Sequence, residues 1–119
     1  MIGIGIDLIE INRLAEIDQK IRARFINRVF SSAEQAICME RNECLAGRFA
    51  AKEAVSKALG IGIGEISWLE IEILQTKTGQ PTIVLNGNAL KYASELGVRK
   101  WHISITHDRN TAAAFVIAD

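Results

Sequence analysis

The sequence predicts a single α+β domain in which helices pack against a mainly antiparallel sheet, with the element order βαααββαββ. Three observations support this prediction. An apolar, β-branched segment opens the chain, an alanine-rich helical segment fills its middle, and alternating segments joined by short turns dominate its second half. Strands that precede and follow a run of helices in this way are typical of the α+β class.

The first part of the chain reads as one strand followed by helices. Residues 2–9 alternate loosely and predict a strand. Helical spacing covers residues 11–21 and continues as a second helical piece over residues 22–30, with Phe25, Ile26, Val29 and Phe30 facing inward. Ser31 and Glu34 have the spacing of a capping box, which predicts a further short helix to about residue 41.

The central helix is predicted from about residue 43 to Leu59, and Gly60 is suited to end it in the left-handed conformation. At about 100° per residue its apolar side chains surround the axis, which is typical of a buried helix. Glu53 and Lys57 interrupt this pattern one turn apart on one face. Because buried charges need a partner, an anion with a metal ion is a candidate for both.

The second half of the chain alternates between strand and turn patterns. Residues 60–64 are a glycine-rich connection that matches neither a dinucleotide-binding nor a Walker A loop. The loop at residues 107–110 suits a hairpin. The predicted elements are, in order, a strand at 68–74, a turn at 78–81, a return strand at 82–85, a helix between Asn86 and Gly97, and strands at 100–106 and 112–118.

Length and composition limit the classes of function. The chain has 119 residues, one domain by length, and 14 basic residues balance 14 acidic ones, so no global basicity points to nucleic acid. No apolar run approaches the roughly 20 residues of a membrane span, and the N-terminus lacks the pattern of a signal peptide. Cys38 and Cys44 are predicted to be reduced thiols, which suits the cytoplasm.

Asp7, Glu53 and Lys57 are the strongest candidates for chemistry. Asp7 ends an apolar strand, and Glu53 lies on an apolar helix. Two carboxylates with phosphate oxygens and waters form the hard oxygen site that suits Mg²⁺, and Lys57 can hold a phosphate as a point charge. The alternatives are a helix cap at Asp7 and an ordinary Glu–Lys pair worth about 0.3–0.5 kcal/mol.

Two further groups of residues are candidates for binding. Ser104, Thr106 and His102 share one face of a strand that ends at His107, and these side chains suit a phosphate or an adenine edge. Five cations cluster in the first helical region, where they form either a solvated face or a docking site for an acidic protein: Arg13, Lys20, Arg22, Arg24 and Arg28.

The last two strands predict self-association. They are nearly continuous apolar runs that include Ile103, Ile105 and residues 112–117. A chain of this size has little interior in which to bury them, so a subunit interface with closed symmetry is expected.

Four segments resemble bacterial holo-[acyl-carrier-protein] synthases, the short single-module 4′-phosphopantetheinyl transferases. The resemblance covers essentially the whole chain and lies in residues 5–11 (GIDLIEI), 47–58 (GRFAAKEAVSKA), 68–73 (WLEIEI) and 104–107 (SITH). It implies transfer of the phosphopantetheine arm of coenzyme A to a serine of acyl carrier protein, in fatty acid biosynthesis, with release of adenosine 3′,5′-bisphosphate.

The resemblance also implies roles for individual residues. Asp7 and Glu53 hold Mg²⁺ against the pyrophosphate, and Lys57, assisted by Arg48, neutralises its charge. Ser104, Thr106 and His107 lie near the nucleotide and come from a neighbouring chain, because the family is trimeric with each site between two subunits. The region that contains Arg13, Arg24 and Arg28 docks the acidic carrier. The base that takes the serine proton stays open between Glu53, a water on the metal and another carboxylate.

Two other functions remain as alternatives from the residues alone. A Mg²⁺-dependent nucleotide hydrolase would use the same Asp7 and Glu53 pair. A non-catalytic trimeric module would bind an acidic partner through its arginines. Incubation with coenzyme A and apo carrier protein separates these two from the transferase.

Overall fold

The chain is described here by a computed structural model that covers residues 1–119. No helix in it is both long and apolar enough to span a bilayer. Its elements are, in order, β1 (Gly3–Glu10), α1 (Asn12–Glu16), α2 (Gln19–Val29), α3 (Ser32–Cys38), α4 (Asn42–Leu59), a 3₁₀ turn (Trp68–Glu70), β2 (Ile71–Gln75), β3 (Pro81–Leu85), α5 (Gly87–Leu96), β4 (Trp101–His107) and β5 (Thr111–Ala118).

The predicted α+β class is confirmed, and the strands form two separate antiparallel sheets. One sheet has the order β1-β5-β4, and the other is the β2-β3 hairpin. Helix α4 packs on the inner face of the first sheet and also contacts β2. Its alanines form the centre of the main core together with inward-facing residues of both sheets. A helix in this position is apolar nearly all round, as its sequence predicts.

Two glycines of β1 allow α4 to approach the sheet closely. A Cβ atom at Gly3 would overlap the carbonyl of Ala58, and one at Gly5 would overlap the carbonyl of Ala54. Asp7 is the next residue on this same inner face of the strand. The Gly-x-Gly-x-Asp spacing therefore allows α4 to pack closely on β1, and it places the Asp7 carboxylate beside the helix.

Two predictions about secondary structure need correction. The helical run at residues 11–30 breaks at Ile17, which is extended, and restarts after Asp18, whose carboxylate caps Lys20 N. The chain therefore has one more helix than predicted before β2. The strand predicted from Trp68 begins only at Ile71, because the carboxylate of Glu70 accepts Ser67 N and curls the preceding residues into a 3₁₀ turn.

The prediction of reduced cysteines is wrong in this structure. Cys38 ends α3, and Met39 and Glu40 then adopt left-handed conformations with φ of 48° and 64°. This tight turn returns the chain so that the start of α4 lies beside the end of α3, with the Cα atoms of Cys38 and Cys44 5.3 Å apart. The two residues form a disulfide.

Candidate functional site

Asp7, Glu53 and Lys57 meet where β1 crosses α4. The Lys57 ammonium donates to Asp7 Oδ1 at 3.1 Å and to the carbonyl of Ile6 at 3.0 Å. The other oxygen, Asp7 Oδ2, is buried and has no hydrogen-bond partner. A buried carboxylate oxygen without a partner is unusual in a folded protein. A proton shared with the neighbouring Glu53 carboxyl group, or a cation held by both carboxylates, would complete it.

The raised pKa of Glu53 also indicates a site for a cation. The pKa of Glu53 is raised to about 7. Burial is the main cause, hydrogen bonding to and repulsion from the neighbouring Asp7 carboxyl group add to it, and Lys57 opposes the shift. Two carboxyl groups this close resist ionising together unless a cation lies between them. No group of three or more His, Cys, Asp and Glu converges in the structure, so the donor set is two carboxylates with room for ligand oxygens. That set fits Mg²⁺, which keeps waters and phosphate oxygens.

The burial expected of the Glu53–Lys57 pair is only partly observed. Glu53 is half-buried, whereas the Lys57 side chain is 55 % exposed. The fully buried charges on α4 are Arg48 and Lys52 instead. Lys57 is thus free on its solvent side to contact an anion that approaches the two carboxylates.

Arg48 lies apart from this group within one chain. It precedes Glu53 by five residues, which is about 140° around the helix. Its Nε donates to the carbonyl of Ile73 at 3.0 Å, and its Nη1 donates to Cys44 Sγ at 3.2 Å. Burial lowers the pKa of Arg48, and nearby Glu34 opposes this shift. A contact between Arg48 and coenzyme A stays a prediction.

Ser104 and Thr106 lie on the sheet face opposite to Asp7. Ser104 pairs with Phe115 and Thr106 with Ala113, while Asp7 pairs with Ala114 on the alternate register positions that face α4. His107 is exposed at the end of the strand. Ser104 and Thr106 therefore do not reach the carboxylates of their own chain, and a contact between His107 and the nucleotide stays a prediction.

The outer face of the first sheet is apolar and uncovered. Ile4, Ile6 and Leu8 of β1 are 53 %, 62 % and 69 % exposed, and Phe115 of β5 lies between them and β4. Ile103 and Ile105, which were predicted to form an interface, instead pack against the core. The exposed apolar surface thus comes mainly from β1, because the inward positions of β4 carry those two isoleucines.

The cations of the first helical region have different environments. Arg13, Arg24 and Arg28 are exposed. Arg22 is not free, because it donates to Asn42 Oδ1 at 2.6 Å and to the Glu40 carbonyl at 3.1 Å. An apolar cavity of about 280 Å³ lies between the end of β1, the first two helices and α4. Arg13 is its one charged lining residue, and its other lining residues are Ile9, Leu14, Ile17, Phe25, Ala46 and Phe49.

Sequence reasoning missed two buried charges, Glu34 and Lys52. Both side chains have no exposed surface, and they form an ion pair of 2.7 Å. Burial lowers the pKa of Lys52, and Glu34 opposes that shift. The sequence does contain a signal for Lys52, because a charged residue on a helix that is apolar nearly all round is expected to need a buried partner. Glu34, however, was interpreted only as a helix cap.

Comparisons with known proteins agree over nearly the whole chain. Residues 3–116 match the family described as the 4′-phosphopantetheinyl transferase superfamily. The holo-[acyl-carrier-protein] synthase of Natranaerobius thermophilus is 47 % identical over 98 % of this chain and 96 % of its own length. The enzyme of the same name from Moorella thermoacetica is 46 % identical over 100 % of this chain and 94 % of its own.

Solved structures show the same agreement in three dimensions. The Helicobacter pylori holo-[acyl-carrier-protein] synthase in complex with coenzyme A superposes with a TM-score of 0.88 at 34 % identity, over 98 % of this chain and 99 % of its own. The Neisseria meningitidis enzyme superposes with a TM-score of 0.89 at 32 % identity, over 100 % and 99 %.

Proposed function

The chain belongs to the 4′-phosphopantetheinyl transferase superfamily, and from that premise we propose that it is a holo-[acyl-carrier-protein] synthase. It transfers the 4′-phosphopantetheine group of coenzyme A to a serine of apo acyl carrier protein and releases adenosine 3′,5′-bisphosphate. The observation that carries the proposal is the unsatisfied Asp7 carboxylate beside Glu53 and Lys57, in a chain similar to these enzymes over nearly its whole length.

The reaction exchanges one phosphorus–oxygen bond for another. The serine hydroxyl oxygen bonds to the phosphorus that carries pantetheine, and the bond from that phosphorus to the bridging oxygen of the pyrophosphate breaks. The hydroxyl proton passes to a base, and the electron pair leaves with adenosine 3′,5′-bisphosphate. Such transfers depend mainly on positioning and charge neutralisation, which is the chemistry that a half-exposed cluster of carboxylates and lysine supplies.

Asp7 and Glu53 are the proposed ligands of one Mg²⁺. Bound there, the ion would supply positive charge to the pyrophosphate and stabilise the leaving group. Lys57 is anchored to the Ile6 carbonyl and to Asp7, so its ammonium stays at the rim of the same site. It neutralises a phosphate oxygen there as a point charge.

We infer that three chains assemble through the apolar outer face of the first sheet. That face carries Ile4, Ile6 and Leu8 in a row, each more than half exposed, and a contiguous apolar patch of this kind marks an interface. Ser104 and Thr106 lie on the same face. Assembly through it would carry them toward a neighbour's site, which their own chain does not allow. Light scattering at micromolar concentration tests this proposal, and a monomer would contradict it.

Arg13, Arg24 and Arg28 are the proposed contacts to the acidic carrier. They are exposed, and Ile21 beside them is 57 % exposed, so cations adjoin an apolar surface. Rim charges of this kind act mainly on the rate of encounter and weaken with salt. Arg24→Glu and Arg28→Glu should raise KM for the carrier far more than KM for coenzyme A. Equal effects on both, or no salt dependence, would leave the arginines as a solvated face.

A single assay tests the proposed function as a whole. The protein is incubated with coenzyme A, apo carrier protein and Mg²⁺, and the carrier is weighed by mass spectrometry. A mass gain of one phosphopantetheine supports the transferase, and loss of the gain on chelation supports the metal. Nucleotide cleavage without a gain would indicate a hydrolase, and binding alone a non-catalytic module. A location in the cytoplasm stays a prediction.

A further inference from the structure

The ion pair between Glu34 and Lys52 lies inside the molecule, away from the solvent side of the metal site. Neither side chain has any exposed surface. A buried ion pair contributes little net stability by itself, because desolvation offsets the attraction. Its presence at this point of the fold therefore calls for another explanation.

Lys52 uses all three of its ammonium hydrogens. They go to the Glu34 carboxylate at 2.7 Å, to the carbonyl of Val29 at 2.7 Å and to the carbonyl of Trp68 at 2.9 Å. The ammonium also lies 5.4 Å from the centroid of the Phe30 ring. One side chain of α4 thus binds the last residue of α2, a residue of α3 and the 3₁₀ turn before β2.

Both carboxylate oxygens of Glu34 also accept hydrogen bonds. Its Oε1 accepts Lys52 and also Ser31 N at 3.0 Å, and its Oε2 accepts Ile73 N of β2 at 2.9 Å. The carbonyl of Ile73 in turn accepts Arg48, one turn before Lys52 on α4. Each of these bonds has a direction as well as a length. The pair therefore fixes the mutual orientation of α2, α3, α4, the 3₁₀ turn and β2, which apolar contacts alone would leave free to slide.

The elements held in this way carry the proposed carrier-docking residues and one of the proposed metal ligands. Val29 ends α2, the helix that carries Arg24 and Arg28, and Phe25 of α2 packs against Phe49 of α4 with ring centroids 5.2 Å apart. Lys52 immediately precedes Glu53, a proposed metal ligand. The apolar cavity is lined by Phe25 of α2 and by Phe49 of α4, which lies one turn before Glu53.

We propose that Glu34 and Lys52 are positioning residues for the transfer reaction, which set the placement of the carrier-docking helix α2 relative to the Asp7–Glu53 carboxylates. This inference rests on the proposed function. A misplacement of about 1 Å between bound reactants costs up to about a hundredfold in rate even when each still binds. Loosening the pair should therefore slow transfer without weakening either substrate.

The test uses Glu34→Gln and Lys52→Met in the full-length protein. Val55→Ala is the matched control, because Val55 is a fully buried residue of the same helix that packs only in the core. Three quantities are measured at a temperature where circular dichroism shows each variant folded. They are the single-turnover rate of transfer, the Kd of coenzyme A with Mg²⁺, and the Kd of a carrier whose acceptor serine is alanine.

Both positioning variants should keep the two Kd values within about twofold while the single-turnover rate falls about tenfold to a hundredfold. Val55→Ala should lower Tm and leave the rate unchanged. A rate that stays at the wild-type value in a folded variant would overturn the inference, as would a rate loss explained by a weaker Kd. If Lys52→Met does not fold, the milder Glu34→Gln decides. If the wild type itself transfers nothing, it is the proposed function that fails.

Discussion

Two faces of helix α4 carry charged residues that differ in burial and in hydrogen bonding. We call the face toward α3 and β2 the satisfied face and the face toward β1 the incomplete face. Toward α3 and β2, Arg48 and Lys52 are buried, and Lys52 has a partner for every hydrogen of its ammonium. Toward β1, Glu53 and Lys57 are at least partly exposed and share their surroundings with an Asp7 oxygen that has no partner. Polar groups that are fully satisfied within the chain build the fold. Groups that are left incomplete at the surface are the ones available to a ligand.

The largest expected effect concerns the incomplete face. Asp7→Asn and Glu53→Gln should each lower kcat/KM by about a thousandfold, since a metal ion supplies several kcal/mol to a transition state with developing charge. Neither variant should lower Tm by much. Each removes a repulsion between two close carboxylates, and the Asp7–Lys57 ion pair that Asp7→Asn also weakens has a half-exposed lysine and contributes about 0–1 kcal/mol. Turnover near the wild-type value at limiting Mg²⁺ would contradict the proposal that these residues bind the metal ion.

Stability should respond in the opposite way on the two faces. Lys52→Ala leaves the Glu34 carboxylate buried without its partner, so the free energy of unfolding should fall by about 3 kcal/mol or more. Lys57→Ala removes a pair whose lysine is 55 % exposed, and such pairs contribute about 0–1 kcal/mol. Urea denaturation of both variants makes the comparison. Similar losses for the two would show that the faces do not differ as described.

The disulfide belongs to the satisfied face, because Cys44 lies on α4 and its sulfur accepts Arg48. Closing so short a loop stabilises a chain by about 2 kcal/mol in the loop-entropy account. A dithiol reductant should therefore lower the free energy of unfolding by about that amount, measured against Cys44→Ser as a control that no reductant can change. A stability that is indifferent to the reductant would show that the bridge does not form in solution.

The smallest expected effect is the pH dependence of metal binding. With the pKa of Glu53 raised to about 7, Mg²⁺ must displace a proton below that pH, so its Kd should rise by up to about tenfold for each pH unit below 7 and level off above. Without metal, the folded state holds this proton more tightly than the unfolded chain. The contribution of Glu53 to stability should therefore be full below the ordinary pKa of a glutamate, near 4.5, and be lost as the pH rises through about 7, which the difference between wild type and Glu53→Gln measures.

Calorimetry at about pH 6 in two buffers of different ionisation enthalpy measures the proton released on binding of Mg²⁺. Glu53→Gln is the control that has no proton to release. Wild-type binding with no release would mean that Glu53 is not a ligand of the ion.

Much of this architecture could be predicted from local patterns, whereas the contrast between the two faces could not. The end of α4 at Gly60, the Ser31–Glu34 capping box and the hairpin loop at residues 107–110 follow from short-range chemistry, and the structure confirms them. Lys52 finds Glu34 across 18 residues of chain, and no periodicity encodes such a pairing. A contact between distant residues also explains why the strand does not begin at Trp68. The Glu70 carboxylate accepts hydrogen bonds from Ser67 N and from Asn88 N of α5.

If the chain assembles as proposed, the exposed apolar row on β1 makes activity depend on the concentration of the protein. If three copies must meet before Ser104 and Thr106 of one chain face the carboxylates of another, the number of complete sites rises more steeply than the number of chains synthesised. Below the dissociation range of the assembly, a modest fall in expression would remove most of the activity. Chains waiting for partners would meanwhile display an edge strand with Ile4, Ile6 and Leu8 uncovered, which is the kind of surface that aggregates.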